Sequence, residues 1–177
     1  MKKALSILIL VITFFIIYFL QVNFFSWFTI AGVKPNLFIM LILFISLFAG
    51  MKVGIPFGIF TGLFLDIVIG KNIGISAIMF GIIGAIGGYF DKNFSKESRI
   101  TIMLMVIGST CIFEIGSYIF QIIELSIYVE IVPFIIKLLI EVVYNTILTI
   151  ILYPIIQNLG YRIEEVFNEP KVLTRYF

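Results

Sequence analysis

Charge interrupts this sequence so rarely that six apolar stretches can be marked between Ala4 and Leu159. A helix needs about 20 apolar residues to cross the hydrocarbon core of a bilayer. The stretches are 4–22, 36–49, 53–69, 73–90, 100–123 and 131–159, with 160–177 left as a tail. Hydrophobic residues make up 62% of the chain and charged residues 12%. A soluble domain runs about 45–50% apolar and about 25% charged, so this chain has too little polar surface to coat a water-soluble globule. The expected fold is an all-α polytopic membrane protein, about six transmembrane helices in one bundle, forming a single integral membrane domain over 1–177.

The second stretch is the shortest, and Pro35 before it suits a helix start. Gly50-Met51-Lys52 and Gly70-Lys71-Asn72 are very short links, so a hairpin or re-entrant arrangement of stretches two and three also fits. Met1-Lys2-Lys3 before an apolar run resembles a signal peptide. The run is long for one, and Thr29-Ile30-Ala31 is a poor cleavage site, so a retained first helix is expected.

Lysine and arginine placement sets orientation. Lys2, Lys3, Lys52, Lys92, Lys96, Arg99, Arg162, Lys171 and Arg175 collect on one side, against Lys34 and Lys71 on the other. Both termini are therefore expected in the cytoplasm. The link from Glu124 to Glu130 has two acids and no base, as an outer loop would.

The same sparseness removes whole classes of chemistry. Without histidine there is no Ser-His-Asp triad, Cys-His pair or His-ligated zinc. Cys111 alone cannot form a disulfide within the chain. A net charge of +2 gives no footprint for nucleic acid. No catalytic constellation, metal set or cofactor motif stands out.

The strongest pattern is a ladder of fours: Gly50, Gly54, Gly58, Gly62, then Asp66, then Gly70. Spacing by four keeps residues near one helix face. Glycines there let a neighbouring backbone approach closely, which favours helix association in lipid. Gly74, Gly81, Gly84, Gly87 and Gly88 continue the small-residue pattern in the fourth stretch. Pro56 is expected in the first turn of the third helix.

Asp66, Glu114, Lys137 and Glu141 are charges inside apolar stretches, where each needs a partner or a cavity. Lys137, Glu141, Asn145 and Thr149 recur every four residues and make a polar stripe. Rise per residue places Asp66 roughly 5–7 Å, Glu114 roughly 14 Å, Lys137 roughly 9 Å and Glu141 roughly 15 Å from the outer ends of their helices. A buried polar cluster of Asp66, Glu114, Lys137, Glu141 and Asn145 is expected, with Lys137 pairing Glu114 or Asp66. A structural ion pair, a solute site and a proton site all fit it.

Tyr18, Trp27, Tyr89, Tyr128, Tyr153 and Tyr161 fall near span ends, as interfacial belts do. Phe24-Phe25-Ser26-Trp27-Phe28 is too apolar for a water-facing linker and suits the interface or a partner. In the tail, Tyr161 to Phe167 fits a short amphipathic helix on the inner membrane face, ended by Pro170.

A short apolar helix opened by Pro35, then Gly50, Gly54, Gly58, Gly62-Leu63, Asp66 and Gly74, resembles the rod shape-determining MreD family. Met79 to Tyr89, with Gly81, Gly84 and Gly88, resembles the helix that follows in that family. Where the family often has an acid after the proline, this chain has Asn36. The resemblance implies a non-enzymatic, cofactor-free role in the bacterial cytoplasmic membrane. It implies association with MreC, a single-pass coiled-coil protein, and through it with MreB filaments, RodA and a class B penicillin-binding protein. The implied task is to help organise peptidoglycan synthesis and cell shape, with Gly50, Gly54, Gly58, Gly62 and Asp66 shaping a packing or docking surface. It also implies a fold like that of the substrate-binding subunits of energy-coupling-factor transporters. Such a transporter subunit is the alternative function. The first stretch, Ala4-Leu5-Ser6-Ile7-Leu8, lacks the second alanine four residues on that those subunits often use for docking.

Overall fold

The computed structural model describes residues 2–69, 73–93, 98–125 and 130–167. Among these, six α-helices follow one another: α1 (Lys2–Phe19), α2 (Leu37–Ala49), α3 (Met51–Ile69), α4 (Ile75–Asn93), α5 (Arg99–Leu125) and α6 (Ile131–Phe167). A π-helical turn, Leu20–Phe24, prolongs α1. The described residues contain no strand, only an isolated bridge between Ile30 and Val33.

Side-chain pairings fix the topology. Phe14 lies against Phe38, and Leu10 packs with Ala49, so α1 and α2 run in opposite directions. Gly54 meets Ser46 and Gly58 meets Ile42, which sets α3 against α2. Gly58 also meets Phe80, and Gly62 meets Ala77, which sets α4 against α3. Phe80 stacks on Phe113 at 4.7 Å between ring centroids and Met79 meets Gly116, while Tyr118 stacks on Phe134 at 4.1 Å and Thr110 bonds Asn145, completing the alternation through α5 and α6. Lys2 and Phe167 therefore lie on the same side of the bundle.

α2 reads Leu-Phe-Ile-Met-Leu-Ile-Leu-Phe-Ile-Ser-Leu-Phe-Ala, apolar all round, and such a helix must be covered all round. Every residue of it except Leu41 is buried. It is the axis of the bundle: α4, α3, α6, α5 and α1 all pack on it. α1 is its opposite. Leu10 and Phe14, four apart, are its buried contacts, while Ile7, Leu8, Val11, Ile12, Phe15 and Ile16 face outward. In a membrane that outward face meets acyl chains.

Length divides the six helices. α1 with its π turn, α3, α5 and α6 are long and apolar enough to cross a membrane. α2 has 13 residues, roughly 20 Å of helix against a hydrocarbon core of about 30 Å. The apolar part of α4, Ile75–Asp91, is also short. Six full crossings were expected, and four helices have the length for one. The molecule is a polytopic helical membrane protein with a short helix enclosed at its centre.

Two local expectations change. Tyr161 to Phe167 is no separate helix but the last turns of α6, which has 37 residues and runs on through Pro154 and Gly160. Ring contact between Phe48 and Tyr161, and packing of Ile163 and Phe167 on Leu10 and Ala49, hold those turns. Pro170 lies outside the described residues. Pro56 is the sixth residue of α3, past the first turn, so α3 lacks the N–H that would bond the Lys52 carbonyl. Tyr153, near the expected span end, is turned into the bundle: it is 7% exposed, with the guanidinium of Arg99, the first residue of α5, 5.1 Å from its ring centroid. Gly70, Lys71, Asn72 and residues 126–129 of the Glu124–Glu130 link, Tyr128 among them, lie outside the described residues.

Candidate functional site

The glycine ladder closes the α3–α4 interface. A Cβ on Gly62 would fall on the backbone of Ala77, and one on Gly58 on the carbonyl of Phe80. Gly54 and Gly84 face each other: a Cβ on Gly84 would sit 2.6 Å from the Gly54 carbonyl oxygen. The Ser46 hydroxyl crosses from α2 to donate to the Gly84 carbonyl. The ladder face is thus filled by α4 and α2 of the same chain. Gly50 plays a different part. At φ 79° it is the turn between α2 and α3, and its N–H donates to the Ser46 carbonyl at 2.9 Å.

Asp66 stands apart from the other intramembrane charges. Its Oδ2 accepts from the N–H of Gly74 at 2.8 Å and of Ser76 at 3.2 Å. These are donors at the start of α4, which a helix cannot satisfy itself. A carboxylate at a helix N-terminus also meets the positive end of the dipole. Asp66 therefore caps α4 from across the turn instead of pairing with Lys137, because α3 packs chiefly on α4 and α2. Asp66→Ala should destabilise the protein by about 1 kcal/mol, within the range for losing a helix cap. Asp66→Asn keeps an acceptor oxygen and should lose less. Thermal unfolding of the two variants in the same detergent measures the difference.

Lys137, Glu114 and Glu141 meet between α5 and α6. Lys137 Nζ lies 2.6 Å from Glu114 Oε2, and the Glu114 side chain is 7% exposed against 51% for Lys137. The buried Glu141, one turn beyond Lys137 on α6, lies within electrostatic reach of both. Among the described residues the ammonium is paired with Glu114, and Glu141 Oε1 is buried with no hydrogen-bond partner. Among those residues no group of three His, Cys, Asp or Glu side chains could hold a metal ion.

Asn145 belongs to a second polar group, a turn further along α6. Its Nδ2 donates to Thr110 Oγ1 at 3.0 Å, and its Oδ1 accepts from the Asn36 N–H at 2.9 Å. Asn36 caps α2, its Oδ1 accepting from the Ile39 N–H at 3.4 Å. From the π turn, Gln21 donates to the Pro35 carbonyl at 2.7 Å and accepts from the Leu37 N–H at 3.0 Å. Side chains of two other helical segments, α6 and the π turn, therefore satisfy the start of α2 where its shortness leaves it inside the bundle. Asn145→Ala strips the Asn36 N–H and Thr110 of partners. A loss of about 1–3 kcal/mol follows from leaving buried polar groups unpaired, read as a lowered unfolding midpoint in detergent. An unchanged midpoint would show that the start of α2 does not depend on this bond.

The sequence named Asn145 and Asp66 but not their partners. Gln21 and Thr110 each carried a weak signal, a polar residue within or bordering an apolar run. Nothing in the spacing told that a π turn would aim Gln21 at α2.

A family model for the rod shape-determining protein MreD matches residues 1–162. No curated protein and no solved structure matches the chain. The match takes in the central α2, the α3–α4 glycine interface, the Asp66 cap, the α5–α6 ion pair and the Asn145 group. On that span the chain belongs to the MreD family, and its role lies in rod shape determination.

Proposed function

We propose that this protein is a non-enzymatic membrane component of the bacterial cell-elongation machinery. It binds MreC in the cytoplasmic membrane and, in the wider complex, connects to MreB, RodA and a class B penicillin-binding protein. In this way it helps organise peptidoglycan synthesis along the side wall. The observation that carries this reading is the family match over residues 1–162. A packing role suits the chemistry of the site, where Asp66 is engaged in capping α4, and Glu114 in holding Lys137. The chain acts as one integral membrane domain. Both its ends lie in the cytoplasm, a placement supported by Lys52, Arg99 and Arg162 falling at the same side of the bundle as Lys2 and Phe167.

Affinity purification from native membranes, with partners identified by mass spectrometry, tests the proposal. Recovery of a single-pass coiled-coil protein together with cell-wall synthases is expected. Recovery of paired ABC ATPases with a transmembrane coupling subunit would replace it with the transporter reading.

A further inference from the structure

The segment between the π turn and α2 combines two properties that rarely occur together in a loop. It exposes large apolar side chains: Trp27 is 88% exposed, and Phe24, Phe28 and Ile30 are each about half exposed. At the same time several of its backbone groups bond inward. Phe25 N–H donates to the Leu20 carbonyl at 2.9 Å and Trp27 N–H to the Phe24 carbonyl at 3.1 Å. Ile30 and Val33 exchange both backbone bonds at 2.9 Å. Tyr144 takes a further carbonyl of the segment, that of Phe28, at 2.8 Å, and Asn23 and Ser26 bond back to the Phe19 and Val22 carbonyls of the preceding helix.

A loop in water has no need of this, since water satisfies exposed carbonyls. In a low-dielectric medium each unsatisfied backbone group costs several kcal/mol, so inward bonding is required there. Position agrees. The segment is tied to Tyr144, next to Asn145, which holds the start of α2. α2 falls about 10 Å short of spanning the hydrocarbon core. The chain leading into it must therefore descend from the membrane surface to reach Asn36. Lys34, exposed beside this segment, has the reach to carry its ammonium to the headgroups while its stem stays in apolar surroundings.

We infer that residues 24–33 lie in the membrane–water interface on the side opposite the chain ends. Trp27, Phe24 and Phe28 are seated among lipid headgroups and upper acyl chains. The partner of this surface is the lipid bilayer. The segment anchors the bundle at the rim where its central helix stops short. This inference does not depend on the cell-elongation reading.

Trp27 is the only tryptophan, so the fluorescence of the unaltered full chain reports this site alone. The protein is placed in phosphatidylcholine nanodiscs whose acyl chains carry bromine high, bromine low or none, and is titrated with iodide. The inference expects blue-shifted emission, loss of most intensity with high bromine, less loss with low bromine, and little response to iodide. Red-shifted emission quenched by iodide would overturn it in favour of a water-facing loop. Stronger quenching by low bromine than by high would also overturn it, because the segment would then sit within the span. Insensitivity to every quencher would overturn it in favour of a surface covered by protein, a partner or a second copy.

Discussion

Gly62→Leu should leave little folded protein, whereas Gly108→Ala should be neutral or stabilising. Both glycines lie inside long helices, so the contrast isolates what surrounds them. At Gly62 the first added carbon already falls on the backbone of Ala77, and no rotamer change can move a backbone. α3 and α4 would have to part, and their contact is the most extensive in the bundle. Overpacking a well-filled site typically costs about 1–3 kcal/mol, and a clash with main chain puts this variant at or above the top of that range. At Gly108 an added Cβ meets nothing within 4 Å. There alanine's helix preference, up to about 1 kcal/mol over glycine, acts unopposed. Gly81→Ala should fall between, since its Cβ would meet only the Ile59 side chain, at 3.1 Å. Monodisperse yield and unfolding midpoint in one detergent order the three variants. Gly62→Leu at wild-type yield would mean that α3 and α4 do not pack as described.

Lys137→Ala should be the second damaging change. It removes the ammonium from Glu114 and leaves two acids facing each other at low exposure. Breaking a buried pair by removing one partner costs about 3–5 kcal/mol. Lys137 is half exposed, and solvent or headgroup screening brings the expected loss to the lower end, about 3 kcal/mol. Glu114→Gln placed on top removes the uncompensated charge and should recover part of that loss. A double mutant no better than Lys137→Ala alone would show that Glu114 and Lys137 are not energetically coupled, whatever their distance.

The residues show which features the sequence could carry. The glycine ladder was legible because one helix face follows from spacing by four, and close packing is what small residues do in lipid. The Lys137–Glu114 contact was one of two options, since depth along a helix can be estimated from rise but azimuth between helices cannot. Asp66 was read as a member of the charge cluster because its depth matched. Its actual partners are backbone N–H groups of Gly74 and Ser76, reached only once the chain has turned back. The centrality of α2 was half visible: its sequence is apolar all round, but a short apolar helix reads equally as a lipid-facing one. The end of α6 was misplaced because Gly160 and the charged residues after it suggest a stop. Contacts of Ile163 and Phe167 with α1 and α2 override that local preference.

The central claim, that this bundle serves in rod shape determination, is tested most directly by depleting the protein in its native host. Cell width and length are followed by microscopy while the wild-type chain or Gly62→Leu is supplied in its place. The account predicts that depleted cells lose their rod shape, that the wild-type chain restores it, and that Gly62→Leu does not. Depleted cells that go on elongating as rods of normal width would contradict it.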